Sequence, residues 1–427
     1  MGHKTNPHRD HVLLRKRYDR MVTGAPDSPH LLGILALLFT PEEAKLARRL
    51  PGRPTSLKKL VTRTGMDSET LEAKLTDMAH RGLVLDFYHG NQRYFMLPPV
   101  VIGFFEFVFM RARDELPMKE LAALFEAYMY DDDRFASNVF GAQTQVGRAL
   151  THEEALAGQD FTEILDWERA TRIVENASMI GVSMCACRHK KMNLGEVCDA
   201  PMDVCFSLNQ GADTMVRNGI ARQVDTHEAM ALLEQCKQAG LVQTGDNVRR
   251  NMSYMCNCCG CCCGMLNAIR KFDMPNAVVA ANWVMQVDQD ACRGCGKCVA
   301  ACPIEAISLE AKTTSDGKTT RKAVCDESLC LGCGVCYGAC KFNAIAMKRR
   351  EQRILPPEST FDRVIQMAIE RGKLANLLFD EPESLGFKAL GRMLAVIERT
   401  PPARALMAIK PLRSAFLNTL VARAKRL

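Results

Sequence analysis

No apolar run in this 427-residue chain is long enough to span a bilayer. The longest, Leu31–Phe39 and Val100–Met110, fall short of the roughly 20 residues a helical crossing needs. The first thirty residues lack the apolar core of a signal peptide and carry scattered charge (Lys4, Arg9, Arg15, Lys16, Arg17), so a cytoplasmic protein is expected. Neither a Gly-x-Gly-x-x-Gly fingerprint nor a Walker-type loop occurs, which would place any nicotinamide or flavin on another subunit. Nothing in the composition suggests long disorder, and the length exceeds what one core organises.

Cysteine, by contrast, is abundant, with 20 residues. In a reducing compartment these are not a disulfide framework, so metal or redox chemistry is the default. Cluster binding would also change the charge. A [4Fe–4S]²⁺ core on four thiolates carries −2, so two clusters lower the formal +7 to about +3 and four lower it to about −1. The apparent basicity is therefore a poor argument for nucleic acid.

An α+β, multidomain, mostly helical chain is expected. Residues 1–30 read as a loosely held basic arm. Over 31–98 three helices precede a hairpin. Thr40-Pro41-Glu42-Glu43 forms a capping box, a second helix follows Thr55 and stops near Gly65, and a third runs from Asp67 to Gly82. Leu83–Tyr88 and Arg93–Leu97 then flank the turn His89-Gly90-Asn91-Gln92, which gives a winged-helix order. Residues 99–180 read as helical, with a capping box at Thr151-His152-Glu153-Glu154 and helical spacing of apolar residues from Trp167 to Ile180. A cysteine-rich segment occupies 181–285, a repeat 286–347, and cysteine-free helices follow from 356 within a C-terminal region 348–427.

The repeat is the sharpest signal. Cys292-x2-Cys295-x2-Cys298-x3-Cys302-Pro303 recurs as Cys330-x2-Cys333-x2-Cys336-x3-Cys340, each ligand displaced by 38 positions. The flanks repeat as well: Asp288 matches Asp326, and Ala306-Ile307 matches Ala344-Ile345. This is the bacterial dicluster ferredoxin pattern, in which the fourth cysteine of each run ligates the other cluster. One [4Fe–4S] cluster is thus assigned to Cys292, Cys295, Cys298 and Cys340, and the other to Cys330, Cys333, Cys336 and Cys302. Gly294, Gly296, Gly332 and Gly334 let the loops wrap closely. Zinc, the other user of Cys-x2-Cys pairs, does not explain four cysteines per run in exact duplication. Cys325 aligns with Val287 and reads as a small apolar strand residue.

A second cysteine field lies upstream. Cys185, Cys187, Cys198 and Cys205 are the set expected to hold a further [4Fe–4S] cluster, with structural zinc as the alternative. Cys256, Cys258, Cys259, Cys261, Cys262 and Cys263 then crowd into eight residues, too densely for one cube, so one or two additional clusters are expected in the field. Arg188, His189, Lys190 and Lys191 either offset cluster charge or form a solvated basic loop. Cys236 shares a helix face with Ala229, Leu232 and Leu233 and reads as a core thiol.

Two resemblances follow from these motifs. Cys258-Cys259-Gly260 and Cys262-Cys263-Gly264 resemble the Cys-Cys-Gly signature of heterodisulfide-reductase-type subunits, although the downstream pair that family uses is here part of the ferredoxin. The stretches TPEEAKLARRLP, CACRHKK…CDAPMDVC, GLVQTGDN, CNCCGCCCG, the ferredoxin repeat and ERGKLANLLFD together resemble a bacterial and archaeal 4Fe–4S binding protein family. That family joins a winged-helix-like N-terminal region to a CNCC-x-CCC run and a dicluster ferredoxin. The resemblance implies redox function in anaerobic-type metabolism and does not supply a substrate.

The helix that would enter a DNA groove carries Asp67, Glu69, Glu72 and Asp77, which repel phosphate, so docking or dimerisation into a homo-oligomer is the expected use of the N-terminal region. Leu412, Phe416, Leu420 and Ala424 form one face of a basic terminal helix, either packed or touching a partner or membrane surface. The favoured function is transfer of low-potential electrons between redox partners, such as a flavoprotein or reductase subunit. A catalytic reductase with a substrate-facing cluster in CNCCGCCC is the alternative, and a cluster-dependent DNA-binding regulator the third reading.

Overall fold

Residues 8–30 do not form a loose arm. They begin with α1 (Arg9–Asp19), whose Leu14 and Tyr18, one turn apart, are fully buried among the charges that suggested a solvated segment. The computed structural model describes residues 8–156, 166–313 and 319–380. They divide into two compact units, one of residues up to Phe104 together with those from Val364 on, the other Phe105–Arg363. Among the described residues no helix is long and apolar enough to cross a membrane. The basic terminal helix proposed from sequence lies outside the described residues.

In the first unit α2 (Pro29–Leu38) is capped by Ser28, and α3 (Pro41–Ala47) closes the expected capping box: Thr40 Oγ1 accepts from Glu43 N at 3.2 Å, and Thr40 N donates to Glu43 Oε2 at 2.9 Å. Strand β1 (Thr55–Ser56) leads into α4 (Leu57–Thr64), which stops at Gly65 with φ +71°. Asp67 caps α5 (Ser68–His80), and the hairpin β2 (Leu85–His89) and β3 (Gln92–Met96) completes a three-stranded sheet ordered β1-β3-β2. Arg93 on this hairpin is already engaged. It donates to buried Asp86 from Nε and Nη2 at 3.0 and 2.9 Å and to Thr76 Oγ1 at 2.7 Å.

The second unit opens with α6 (Phe105–Phe109), α7 (Met118–Tyr130) and α8 (Arg134–Phe140), then turns to sheet. Strand β4 (Gly147–Ala149) is followed by α9 (Ala170–Glu175), β5 (Ile180–Ser183), α10 (Ala186–Asn193), β6 (Cys205–Leu208), α11 (Gln210–Arg217), β7 (Arg222–Val224), α12 (Thr226–Gln238), β8 (Val242–Asp246) and β9 (Tyr254–Cys258). These strands build one antiparallel sheet ordered β4-β8-β9-β6-β5-β7. Two helical expectations are corrected here. The apolar spacing from Trp167 to Ile180 is helical over a 3-10 turn (Asp166–Glu168) and α9 but ends before Ile180, which is drawn into β5 opposite Leu208. The Thr151–Glu154 capping box does not close: Thr151 Oγ1 donates to Gly332 O at 2.8 Å, and the Glu154 carboxylate instead pairs with Lys237.

Beyond the sheet come α13 (Gly264–Phe272), β10 (Trp283–Val287), α14 (Lys297–Ala301), β11 (Ile307–Thr313), β12 (Thr319–Cys325), α15 (Val335–Ala339) and β13 (Ile345–Arg349). Helices α16 (Thr360–Glu370) and α17 (Leu374–Leu378) follow, and in the first unit Ile365, Ala368 and Leu374 pack with Val22. There Asp380, the last residue of ERGKLANLLFD, pairs through Oδ1 with Arg17 Nη2 at 2.5 Å, both side chains buried, and accepts from Gly52 N at 2.7 Å. Helix and sheet are mixed throughout, as expected of an α+β chain.

Candidate metal centres

The 38-residue repeat folds as two halves that exchange partners. Strand β10, before the first cysteine run, pairs with β13, after the second, while β11 pairs with β12. The hydrogen bonds repeat with the sequence. Asp288 N donates to Ala344 O and Asp326 N to Ala306 O, each at 2.8 Å, and Cys292 N donates to Asp288 O and Cys330 N to Asp326 O, each at 3.0 Å. The glycines are obligatory for close approach: a Cβ on Gly294 (φ +63°) would lie 2.1 Å from Arg321 O, and one on Gly332 (φ +70°) 2.0 Å from Trp283 O.

This interlock brings Cys340 to the first run. One cavity is lined by Cys292, Cys295, Cys298 and Cys340, with Leu309 and Ile345 among its apolar walls and exposed Phe342 at its edge. Cys302 correspondingly stands beside Cys330, Cys333 and Cys336. Amides point at these sulfurs, Ala306 N to Cys302 Sγ at 3.2 Å and Gly332 N to Cys330 Sγ at 3.4 Å, as a bound cluster's negative charge requires. Burial pushes the Cys333 thiol up to about 12, so a metal must displace its proton on binding. The thiols, apolar walls and sulfur-directed amides fit [4Fe–4S] clusters. Cys325 ends β12 opposite Ile307, and its thiol also lies beside Cys330, a neighbour that the strand assignment did not reveal.

The upstream field is divided differently from the expectation. Cys185, Cys187, Cys198 and Cys205 do not form one set. Cys198 joins Cys259, Cys261 and Cys262, whose sulfurs all lie within 4.8 Å of one another. The other three belong to a string. Cys185 faces Cys187 and Cys205, Cys187 lies beside Cys263, Cys263 beside Cys258, Cys258 beside Cys256, and Cys256 beside Cys205. The sheet explains the division. Strands β5, β6 and β9 are neighbours, and Cys185, Cys205, Cys256 and Cys258 cluster at one end of them. Cys185 and Cys263 occupy the N-caps of α10 and α13, where the helix dipole favours thiolate and anionic clusters. Cys236 is fully buried against Val204 and Leu241, and burial pushes its thiol up to about 12.

The basic run beside Cys187 is not a solvated loop. Arg188, His189, Lys190 and Lys191 lie on α10 and are all buried. Glu126 on α7 neutralises two of them, with Lys190 Nζ at 2.5 Å from Oε2 and Lys191 Nζ at 2.8 Å from Oε1. His189 Nδ1 meets Phe109 O at 2.8 Å. Arg188 turns to the cysteine sulfurs of the field. It has no solvent exposure, donates from Nη1 to Asn257 O at 3.1 Å, and faces Cys185, Cys259 and Cys258. Its Nε and Nη2 find no nitrogen or oxygen partner. A lone buried guanidinium between two thiol groups is suited to anionic centres on either side.

The field also touches the repeat. Gly260, between Cys259 and Cys261, packs so tightly on Pro303 that a Cβ would lie 2.6 Å from Pro303 O. His152 N donates to Cys333 O at 2.9 Å, and His152 Nε2 meets Leu241 O at 2.9 Å, joining the repeat to β8's approach.

Comparison with known proteins supports the first pair of centres directly. Residues 291–344 match the family model described as a 4Fe-4S dicluster domain, which spans both cysteine runs from Cys292 to Cys340. No curated protein and no solved structure matches the chain.

Proposed function

We propose that this chain is an iron–sulfur electron-transfer protein, exchanging low-potential electrons between redox partners through two [4Fe–4S] clusters. Cys292, Cys295, Cys298 and Cys340 hold one, and Cys330, Cys333, Cys336 and Cys302 the other. The crossed thiol quartets inside a matched 4Fe–4S dicluster domain carry this reading. Bound clusters supply one-electron chemistry, and the protein sets their potentials by burial, amide bonds and charge.

The two ends differ in a way that suits passage of electrons. The first quartet reaches the surface at exposed Cys295 and Phe342, a face suited to a partner protein. The second buries Cys333 and Cys336 and adjoins the upstream field through Pro303 and Gly260. The string Cys185, Cys187, Cys205, Cys256, Cys258 and Cys263 takes a further cluster, with Arg188 offsetting its charge. Without a dinucleotide fingerprint in the chain, a flavoprotein or reductase subunit is the fitting donor or acceptor. The helix–helix–hairpin order of the first unit suits a winged-helix-like docking module. Arg93 is paired and Glu69 and Asp77 lie exposed on α5, a surface that repels a phosphate backbone.

Iron and acid-labile sulfide, measured on the full chain purified without oxygen, test the reading. About eight irons are expected for the dicluster domain and about four more for the string, with visible absorbance that bleaches on dithionite addition. Zinc in place of iron, or absorbance that dithionite leaves unchanged, overturns it. Turnover of a small acceptor without a protein partner would instead favour the catalytic alternative.

A further inference from the structure

The four sulfurs of Cys198, Cys259, Cys261 and Cys262 are closer together than a cube allows. Cys198 Sγ lies 3.7 Å from Cys259 Sγ and 3.9 Å from Cys262 Sγ, and Cys261 and Cys262 are 3.6 Å apart. A tetrahedral ion with metal–sulfur bonds of about 2.3 Å sets its sulfurs about 3.8 Å apart. In a [4Fe–4S] cube each thiolate sits on a different iron, so an iron–iron edge separates every pair. The chain itself supplies the contrast. Among the described residues this is the only group of three or more metal-ligating side chains drawn within 4.8 Å, and neither dicluster quartet forms such a group.

From this geometry we infer that Cys198, Cys259, Cys261 and Cys262 form a four-thiolate site for a single tetrahedral metal ion, zinc or iron, separate from every iron–sulfur cluster of the chain. The site goes beyond the electron-transfer reading and does not depend on it. Its surroundings fit an anionic complex. A divalent ion on four thiolates carries a net −2, and the fully buried Arg188 faces Cys259 with Nε and Nη2 lacking nitrogen or oxygen partners. Val204, Leu241 and Cys236 wall the site on its buried side, while Cys261 opens to solvent and gives the ion an entry path. The ion would tie the loop bearing Cys198 to the turn Cys259–Cys263, which holds Gly260 against Pro303.

The test is a metal count on the anaerobically purified full chain. A cube contributes equal iron and acid-labile sulfide, whereas a single ion contributes metal without sulfide. The inference predicts that zinc, plus iron in excess of sulfide, sums to about one ion per chain. Zinc alone identifies a zinc site, and one excess iron identifies an iron site. Iron equal to sulfide with no zinc overturns the inference. Cys261→Ser, at the exposed position, should release that ion to a chelator at least about tenfold faster while labile sulfide and the dithionite-bleached absorbance stay at wild-type levels. A fall in sulfide in Cys261→Ser would show a cluster at these thiols, and an unchanged release rate would show that the ion is bound elsewhere; either contradicts the inference. Loss of the dicluster clusters would leave this count intact, so the two readings fail separately.

Discussion

In the dicluster domain eight thiols are set out by a 38-residue repeat, whereas ten of the eleven thiols from Cys185 to Cys263, all but the core thiol Cys236, come from strand ends, helix starts, a loop and one tight turn. The first arrangement is local. Spacing places three sulfurs in one loop, and a symmetric exchange of strands supplies the fourth. The second depends on long-range pairing, since Cys205 meets Cys256 only because β6 and β9 are neighbours, and Cys198 meets Cys259 across 61 residues of sequence. Two regions equally rich in cysteine therefore differ in what brings their thiols together: the motif in one, the sheet in the other.

The largest expected effect lies in the repeat. Gly332→Ala would place a Cβ 2.0 Å from Trp283 O at φ +70°, and we expect a loss of about 3 kcal/mol or more together with most of the iron of the domain. Denaturant unfolding and iron analysis measure it. Next, Cys340→Ser should empty the site of the first run while the second keeps its cluster, removing about four irons although the change lies in the second run. Retention of the first-run cluster would break the picture of interlocked halves.

Smaller changes separate the field from the repeat. Glu126→Gln leaves buried Lys190 without its carboxylate and should cost about 2 kcal/mol at neutral pH. Burial opposes the Glu126 charge, but hydrogen bonds from Lys190 and Lys191 outweigh it and hold the carboxyl below its ordinary 4.5. The wild-type contribution should thus be complete above about pH 4.5 and fade as pH falls through the depressed value, and urea denaturation across that range checks it. Gly260→Ala forces the turn away from Pro303 O and should cost about 1–2 kcal/mol. Stopped-flow reduction should show slower electron arrival in the field and an unchanged rate for the dicluster domain.

The sequence reading was strongest where chemistry and spacing coincide. The eight dicluster cysteines, the capping box at Thr40 and the helix stop at Gly65 were all legible because each depends on residues within a few positions. The six-stranded sheet was not, because its strands are three to five residues long and pair out of sequence order. Without it, Cys198 was grouped with Cys185, Cys187 and Cys205, its nearest neighbours in sequence rather than in space. The α1 helix was missed because its two fully buried side chains, Leu14 and Tyr18, sit among arginines and lysines. The basic run of α10 looked solvated because nothing local announces that Glu126, some sixty residues earlier, neutralises two of its charges.

The central claim, two clusters held by interlocked halves of one domain, is most directly tested by electron paramagnetic resonance of the fully reduced, anaerobic chain. Two nearby reduced clusters should give spectra broadened and split by mutual spin coupling, and Cys340→Ser should remove the first-run cluster's share of the signal together with its coupling to the second. An uncoupled signal already present in the unmodified chain, or none after full reduction, would contradict the account.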